Sequence, residues 1–226
     1  MTPTRLRPTL DTIATISMIA AASVVMWTYF RAARPRPMAA VPSSKVSIDG
    51  AATKGSRSAT TALVVYSDFE CPFCRAFAVT VLPDIDKRYT DTGQLFVAFR
   101  HLPLSGHPNA KRAAQAADCA NGVGQFWQLH DMMFRSTREL SEQNVIEMSR
   151  VLGLGSRWNE CMTNDDRAIT ADADSAGALG ITSTPTVLIG ILDGQRKLKA
   201  TDIVVGTQPL SAYVAIIDRV LRSSTK

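Results

Sequence analysis

Cys71-Pro72-Phe73-Cys74 sits where an apolar, β-branched run, Leu63-Val64-Val65-Tyr66, gives way to a long helical pattern. Two cysteines separated by two residues at a strand-to-helix junction leave few architectures open. Cys71 falls in the first helical turn, where unpaired N–H groups and the helix dipole favour a thiolate; Cys74, one turn on, points to the same side. Such a pair closes into a small disulfide, or opens so that Cys71 attacks another disulfide and Cys74 resolves the mixed disulfide. Half of a structural zinc site is the competing reading. It needs two further ligands, and the sequence has neither a second Cys-x-x-Cys nor a Cys-His cluster. An inert structural disulfide is the third reading, and a helix N-terminus works against inertness.

The remaining pattern is α/β. Val46-Ser47-Ile48 alternates and precedes Asp49-Gly50, an edge strand and turn. The helix after Cys74 carries Pro83, which predicts a kink or a split, and it stops near Thr92-Gly93. Leu95 to Phe99 is the next strand, so strand, helix and strand form a parallel crossover. From about Asn109 to Gly180 the pattern is helical: an alanine-rich stretch to Ala120, Phe126, Leu129 and Met133 at helical spacing, Ser141 as an N-cap for a helix ending at Gly153, and a helix to Leu179. Thr186 to Ile189 is a strand after Pro185, Asp193-Gly194 turns into its antiparallel partner, and Leu210 to Leu221 is an amphipathic helix.

Four segments, Gly55 to Cys74, Arg100-His101-Leu102-Pro103-Leu104, Gln125 to Asp131 and Ile181 to Thr186, resemble in order the landmarks of the DsbA-like branch of the thioredoxin superfamily, extracytoplasmic thiol-disulfide oxidoreductases. The resemblance covers roughly Val46 to the C-terminus. It implies a thioredoxin fold with an inserted helical subdomain, Cys71 and Cys74 as the redox pair, and no cofactor. It also implies a cis bond at Thr184-Pro185, with Pro72, Phe73, Thr184 and Pro185 shaping a substrate groove; a trans-proline opening a strand is the plain alternative. Two departures stand out. Family members often carry a buried acid six residues before the first cysteine, where this chain has Val65, which leaves Asp68 or water to relay protons. The family often has His as the second residue between the cysteines, where this chain has Phe73, and the resemblance then implies a milder oxidase.

At 226 residues the chain has room for one well-buried domain and a tail. Its formal charge of +5 raises nucleic acid as a partner, yet eight basic and two acidic residues precede Ser58 and the remainder is nearly balanced. No basic stripe interleaved with aromatics suits a phosphate backbone, so nucleic acid is excluded. Residues 12–30 carry no charge and end in Trp27-Thr28-Tyr29-Phe30, about one bilayer span, and read as an uncleaved signal-anchor after a cytoplasmic segment, residues 1–11. A cleaved signal peptide competes, with Arg5 and Arg7 as its basic region and Met38-Ala39-Ala40 before a cleavage site. Residues 31–57 form a Pro- and Ala-rich tether ending in the edge strand, and residues 58–226 the thioredoxin-like domain with its insertion at about 109–180. Arg31, Arg34 and Arg36 outnumber Arg5 and Arg7, which alone puts the domain in the cytoplasm. A second cysteine pair beside the redox motif argues for an oxidising compartment and puts the domain on the periplasmic side.

Cys119 and Cys161, both in the helical block, read as a structural disulfide or as two small buried hydrophobes; oxidising surroundings favour the disulfide. Asp68 and Glu70 flank the motif, and Glu70 opposes a thiolate unless it points to solvent, its expected state. His101, His107 and His130 read as structural, and Met132-Met133 and Trp127 as helix core. The expected partners are exported proteins with thiols or disulfides, a membrane redox protein that recycles the cysteines, and the membrane through the N-terminal helix. A disulfide reductase or isomerase, a holdase and a metal-handling thiol protein are the rival functions.

Overall fold

The computed structural model of the chain describes Ser23 and residues 40–163 and 166–224. The predicted span over residues 12–30 lies, Ser23 apart, outside the described residues. Among the described residues no helix is long and apolar enough to cross a membrane.

The run Leu63 to Tyr66 lies inside strand β3 (Thr61–Ser67), all of it buried. Alternation sends Leu63 and Val65 into one core and Ala62, Val64 and Tyr66 into the other, which is why the sequence reads as continuously apolar. β4 (Leu95–His101) pairs in parallel with β3 on one side, and β5 (Thr186–Leu192) antiparallel on the other. β6 (Lys197–Val205) continues the sheet beyond β5. The edges come from the segment before Ser58: β1 (Val46–Ser47) on β6 and β2 (Ala52–Gly55) on β4. The order is β1-β6-β5-β3-β4-β2, a thioredoxin fold with added edges.

The crossover from β3 to β4 is a helical run, α1, over residues 72–90. It is α-helical at Pro72–Ala76 and Leu82–Ile85 and widens to π turns at Phe77–Val81 and Asp86–Thr90. The break predicted at Pro83 therefore takes the form of a widened turn, with the Leu82 N–H reaching back to Phe77 O. Pro83 brings no N–H to the ladder, and the wider turn ahead of it accommodates its ring without ending the helix.

The insertion holds α2 (Ala110–Asn121), α3 (Phe126–Arg135), α4 (Glu142–Val151), α5 (Gly155–Cys161) and α6 (Arg167–Ala178). Ser141 caps α4, its hydroxyl accepting from Asn144 N. α2 to α5 join the core of Leu63 and Val65, and α6 joins the opposite core through Ala176. The short α5 has too few residues to show a period in sequence. It is fixed on α2 by Trp158, whose indole N–H donates to Ala116 O at 2.9 Å, and by a bond between Cys119 and Cys161. Closing a loop of sequence separation 42 is worth about 4 kcal/mol in the loop-entropy account. The last helix, α7 (Leu210–Ser224), buries Tyr213, Ile217 and Val220 against the first core.

Arg100 at the end of β4 ties three elements together. Its guanidinium meets Asp172 of α6 at 2.6 Å and donates to Ser47 O at 2.6 Å and Asp49 O at 2.9 Å. Asp172 also accepts from His101 N at 2.8 Å. The Arg100 Nε is left without a partner, and a buried ion pair of this kind positions elements more than it stabilises them.

Candidate active site

β3 ends at Ser67, and the turn Asp68-Phe69-Glu70 delivers Cys71 to the N-cap of α1. Pro72 opens the helix, where a missing N–H costs nothing. Cys71 and Cys74 are both buried free thiols, whereas Phe73 between them is 63% exposed. The loop before β5 comes in from across the sheet: the Cys71 thiol donates to Thr184 O at 3.4 Å, and Thr184-Pro185 is a cis peptide. Two further contacts brace this meeting point. Thr207 Oγ1 donates to Phe73 O, and Gly206 N to Pro185 O at 2.8 Å.

The two sulfurs are not equivalent. The Cys71 pKa is lowered to about 5, chiefly because the Cys74 thiol donates to it; burial opposes this, and Thr184 and the N–H groups of Cys74 and Phe73 assist. The Thr184 hydroxyl is buried without a partner of its own and is therefore available to a thiolate. Burial pushes the Cys74 thiol up, and its donation to Cys71 pushes it further, although Asp68 N donates to its sulfur at 3.4 Å. A thiol that ionises readily beside one that is held protonated is the asymmetry that a Cys-x-x-Cys exchange uses.

The same asymmetry makes reduced-state stability depend on pH. Cys71 at about 5 when folded lies below an unfolded cysteine at about 8.5, so its contribution is complete above about 8.5 and is lost as pH falls through about 5. Cys74, held high, works the other way only as pH nears and passes about 8.5, where the unfolded thiol ionises. Denaturant midpoints of reduced protein, referred to the disulfide form, should therefore fall from pH 8.5 to pH 5. A difference that stays flat contradicts a lowered Cys71.

Asp68 is the buried carboxylate of the site, and Val65 is buried and apolar. Asp68 accepts from Glu70 N at 2.7 Å and Leu104 N at 2.8 Å and meets His107 Nδ1 at 2.7 Å. That contact keeps the His107 pKa above its ordinary value, with Asp68 the main cause. Glu70 departs from the solvated state expected of it. Its carboxylate accepts from Asn109 N at 2.6 Å and Asn109 Nδ2 at 2.9 Å, because unpaired donors at the start of α2 attract an anion. His101 and His130 are buried among Phe69, Phe99, Phe126 and Phe134, and burial lowers both, His101 to about 3. Beside Cys71 a cleft of about 250 Å³ is lined by Phe69, Pro72, Arg75, Phe134 and Leu140. Among the described residues, no three His, Cys, Asp or Glu side chains are arranged to hold a metal ion.

Residues 48–201 match the thioredoxin family model. The chain belongs to that family, and its fold is of the DsbA-like kind. Among solved structures it is similar to alpha-DsbA1 of Wolbachia pipientis, with TM-score 0.70 and 21% identity over 80% of this chain and 95% of that one. It is also similar to oxidised BdbD of Bacillus subtilis, with TM-score 0.67 and 19% identity over 80% of this chain and 98% of that one. These likenesses concern the fold. A relative named Na(+)/H(+) antiporter NhaA 1, from Salinispora arenicola, is 33% identical over 140 residues, which are 60% of this chain and 21% of that protein. This chain thus spans about a fifth of that relative's length.

Proposed function

We propose that the protein is a thiol-disulfide oxidoreductase that introduces disulfides into exported proteins. The observation that carries this reading is the pairing of a low-pKa Cys71 with a high-pKa Cys74 against Thr184-Pro185. In the oxidising direction a substrate thiolate attacks Cys71 of the closed pair, forming a mixed disulfide and expelling the Cys74 thiolate, which takes a proton. A second substrate thiolate then attacks the substrate sulfur of the mixed disulfide, and Cys71 leaves as a thiolate. Two electrons have passed to the pair, and the substrate holds a new disulfide. A leaving group already stabilised as a thiolate drives the reaction this way, since stabilising the reduced form makes a pair more oxidising.

Pro72, exposed Phe73, Thr184 and Pro185 form the substrate groove, and the cleft beside Cys71 receives a neighbouring side chain. The chemistry needs no cofactor. A membrane redox partner reoxidises the pair, and residues 12–30 anchor the domain on the periplasmic side. The transport named for the antiporter relative belongs to a protein of which this chain matches only about a fifth. Equilibration of the purified protein with glutathione, followed by turnover with a reduced, unfolded substrate, tests the reading. Disulfide formation in the substrate supports it. A potential near that of thioredoxin, about −270 mV, replaces it with an extracytoplasmic reductase, and binding without turnover with a holdase.

A further inference from the structure

A Cys71 that stays ionised leaves the reduced site short of a proton. Two substrate thiols release two protons as they become a disulfide; Cys74 takes one and a Cys71 thiolate takes none. Asp68 links the backbone of Cys71 and the sulfur of Cys74 to an imidazole. Its backbone O accepts from Cys71 N at 3.2 Å, its N donates to Cys74 Sγ at 3.4 Å, and its carboxylate meets His107 Nδ1 at 2.7 Å. With Glu70 N and Leu104 N completing its bonds, that carboxylate is fixed and has no access to water, and its side-chain exposure is 0%. The His107 side chain is 26% exposed, which gives its proton a path to solvent; His101 and His130, at 4% and 1%, have none comparable.

We propose that His107 is the proton-holding partner of the cysteine pair, its imidazole seated on Asp68 beside Cys71, taking up a proton as the disulfide is reduced and releasing it as the disulfide reforms. The proposal rests on the exchange chemistry given above. The balance then closes: of the two protons from the substrate thiols, one goes to Cys74 and one to His107, while two electrons enter the pair. The charged and titratable groups facing His107 are Asp68 and Glu70 in the turn after β3 and Cys71 at the start of α1. All three favour the imidazolium, and only Cys71 loses its charge on oxidation. Closing the disulfide therefore removes one of the influences that hold the proton and leaves the Asp68 contact in place. His107 meets the pair through Asp68, so it is a positioning residue, and the effect shows in protonation before it shows in rate.

Nuclear magnetic resonance titration of the three histidines in the full-length protein, reduced and oxidised, with thiol counting to establish each state, tests this. The His107 midpoint, assigned with His107→Gln, should lie lower in oxidised than in reduced protein, while His101 and His130 serve as internal controls. Between the two His107 midpoints, glutathione equilibria against pH should show more than one proton taken up per electron pair in wild type, and one in His107→Gln. A histidine that merely holds the connection before α2 titrates at the same pH in both states, and that result overturns the proposal. The wild-type titration decides the matter even if His107→Gln fails to fold, since the moving resonance then identifies the residue through its distance from the two buried histidines. Failure of the pair to close, seen in the thiol count, overturns the exchange reading and this one together; a closed pair with an unmoved His107 overturns this one alone.

Discussion

Cys74→Ala protein should accumulate covalent complexes with exported proteins, and Cys71→Ala protein should accumulate none. The reason lies in the positions of the sulfurs. Cys71 sits at the helix N-cap, where the N–H groups of residues 73 and 74 and Thr184 still favour its thiolate once the Cys74 thiol is gone, so it keeps its capacity to form a mixed disulfide. What disappears is the intramolecular attack from one turn further along α1. Oriented intramolecular reactions reach effective molarities of roughly 10⁵ M or more, a concentration that no external thiol approaches. Release should therefore slow by several orders of magnitude, long enough for complexes to survive acid quenching and non-reducing electrophoresis. Cys74 in the Cys71→Ala protein is buried and held protonated, and should trap nothing. Equal trapping by the two variants would refute the assigned roles.

The second large effect is expected far from either sulfur. Gly190 lies in β5 where its register with β6 shifts, and a Cβ there would sit 2.1 Å from Lys199 O and 2.8 Å from Ala200 Cα. Both are backbone atoms of a paired strand and cannot rotate away. Gly190→Ala should destabilise the protein by about 3 kcal/mol, the upper end for overpacking a tight site. Gly194→Ala, at a turn with open space around it, should change stability by less than about 0.5 kcal/mol. Urea midpoints of the two variants give the comparison, and equal midpoints would mean that β5 and β6 do not pack as described. Because β5 begins directly after Pro185, the first variant should also loosen the contact between Cys71 and Thr184.

Residues whose surroundings are set by near neighbours were readable in the sequence. β3, β4 and β5 are central strands, so they appear as unbroken apolar runs, and Ser141 caps a helix through a donor three residues away. β2 was missed because Ala52-Thr53-Lys54-Gly55 has no strand pattern of its own. It is held by β4 and by Lys54, which pairs with Asp86 and lies 4.0 Å over the Trp127 ring. In the site, the cysteine motif is local and visible. The pairs Asp68 with His107 and Glu70 with Asn109 each span 39 residues, and only the folded chain brings them together. A histidine before a proline gives no hint of which carboxylate it will meet.

The connection from Leu104 to Asn109 has one more consequence. Its donors occupy both carboxylates of the turn that carries Cys71: Leu104 N and His107 on Asp68, Asn109 on Glu70. These bonds belong to a loop, the kind of segment that opens locally at far less cost than global unfolding. Each opening would strip the loop's donors from two anions within three residues of Cys71, leaving Asp68 the Glu70 N–H alone, and like charge beside a thiolate raises its pKa. The reactivity of Cys71 is thus an average over closed and lifted states of a loop outside the motif, and a substitution that makes the loop breathe more often would weaken Cys71 without altering any residue of the Cys-x-x-Cys.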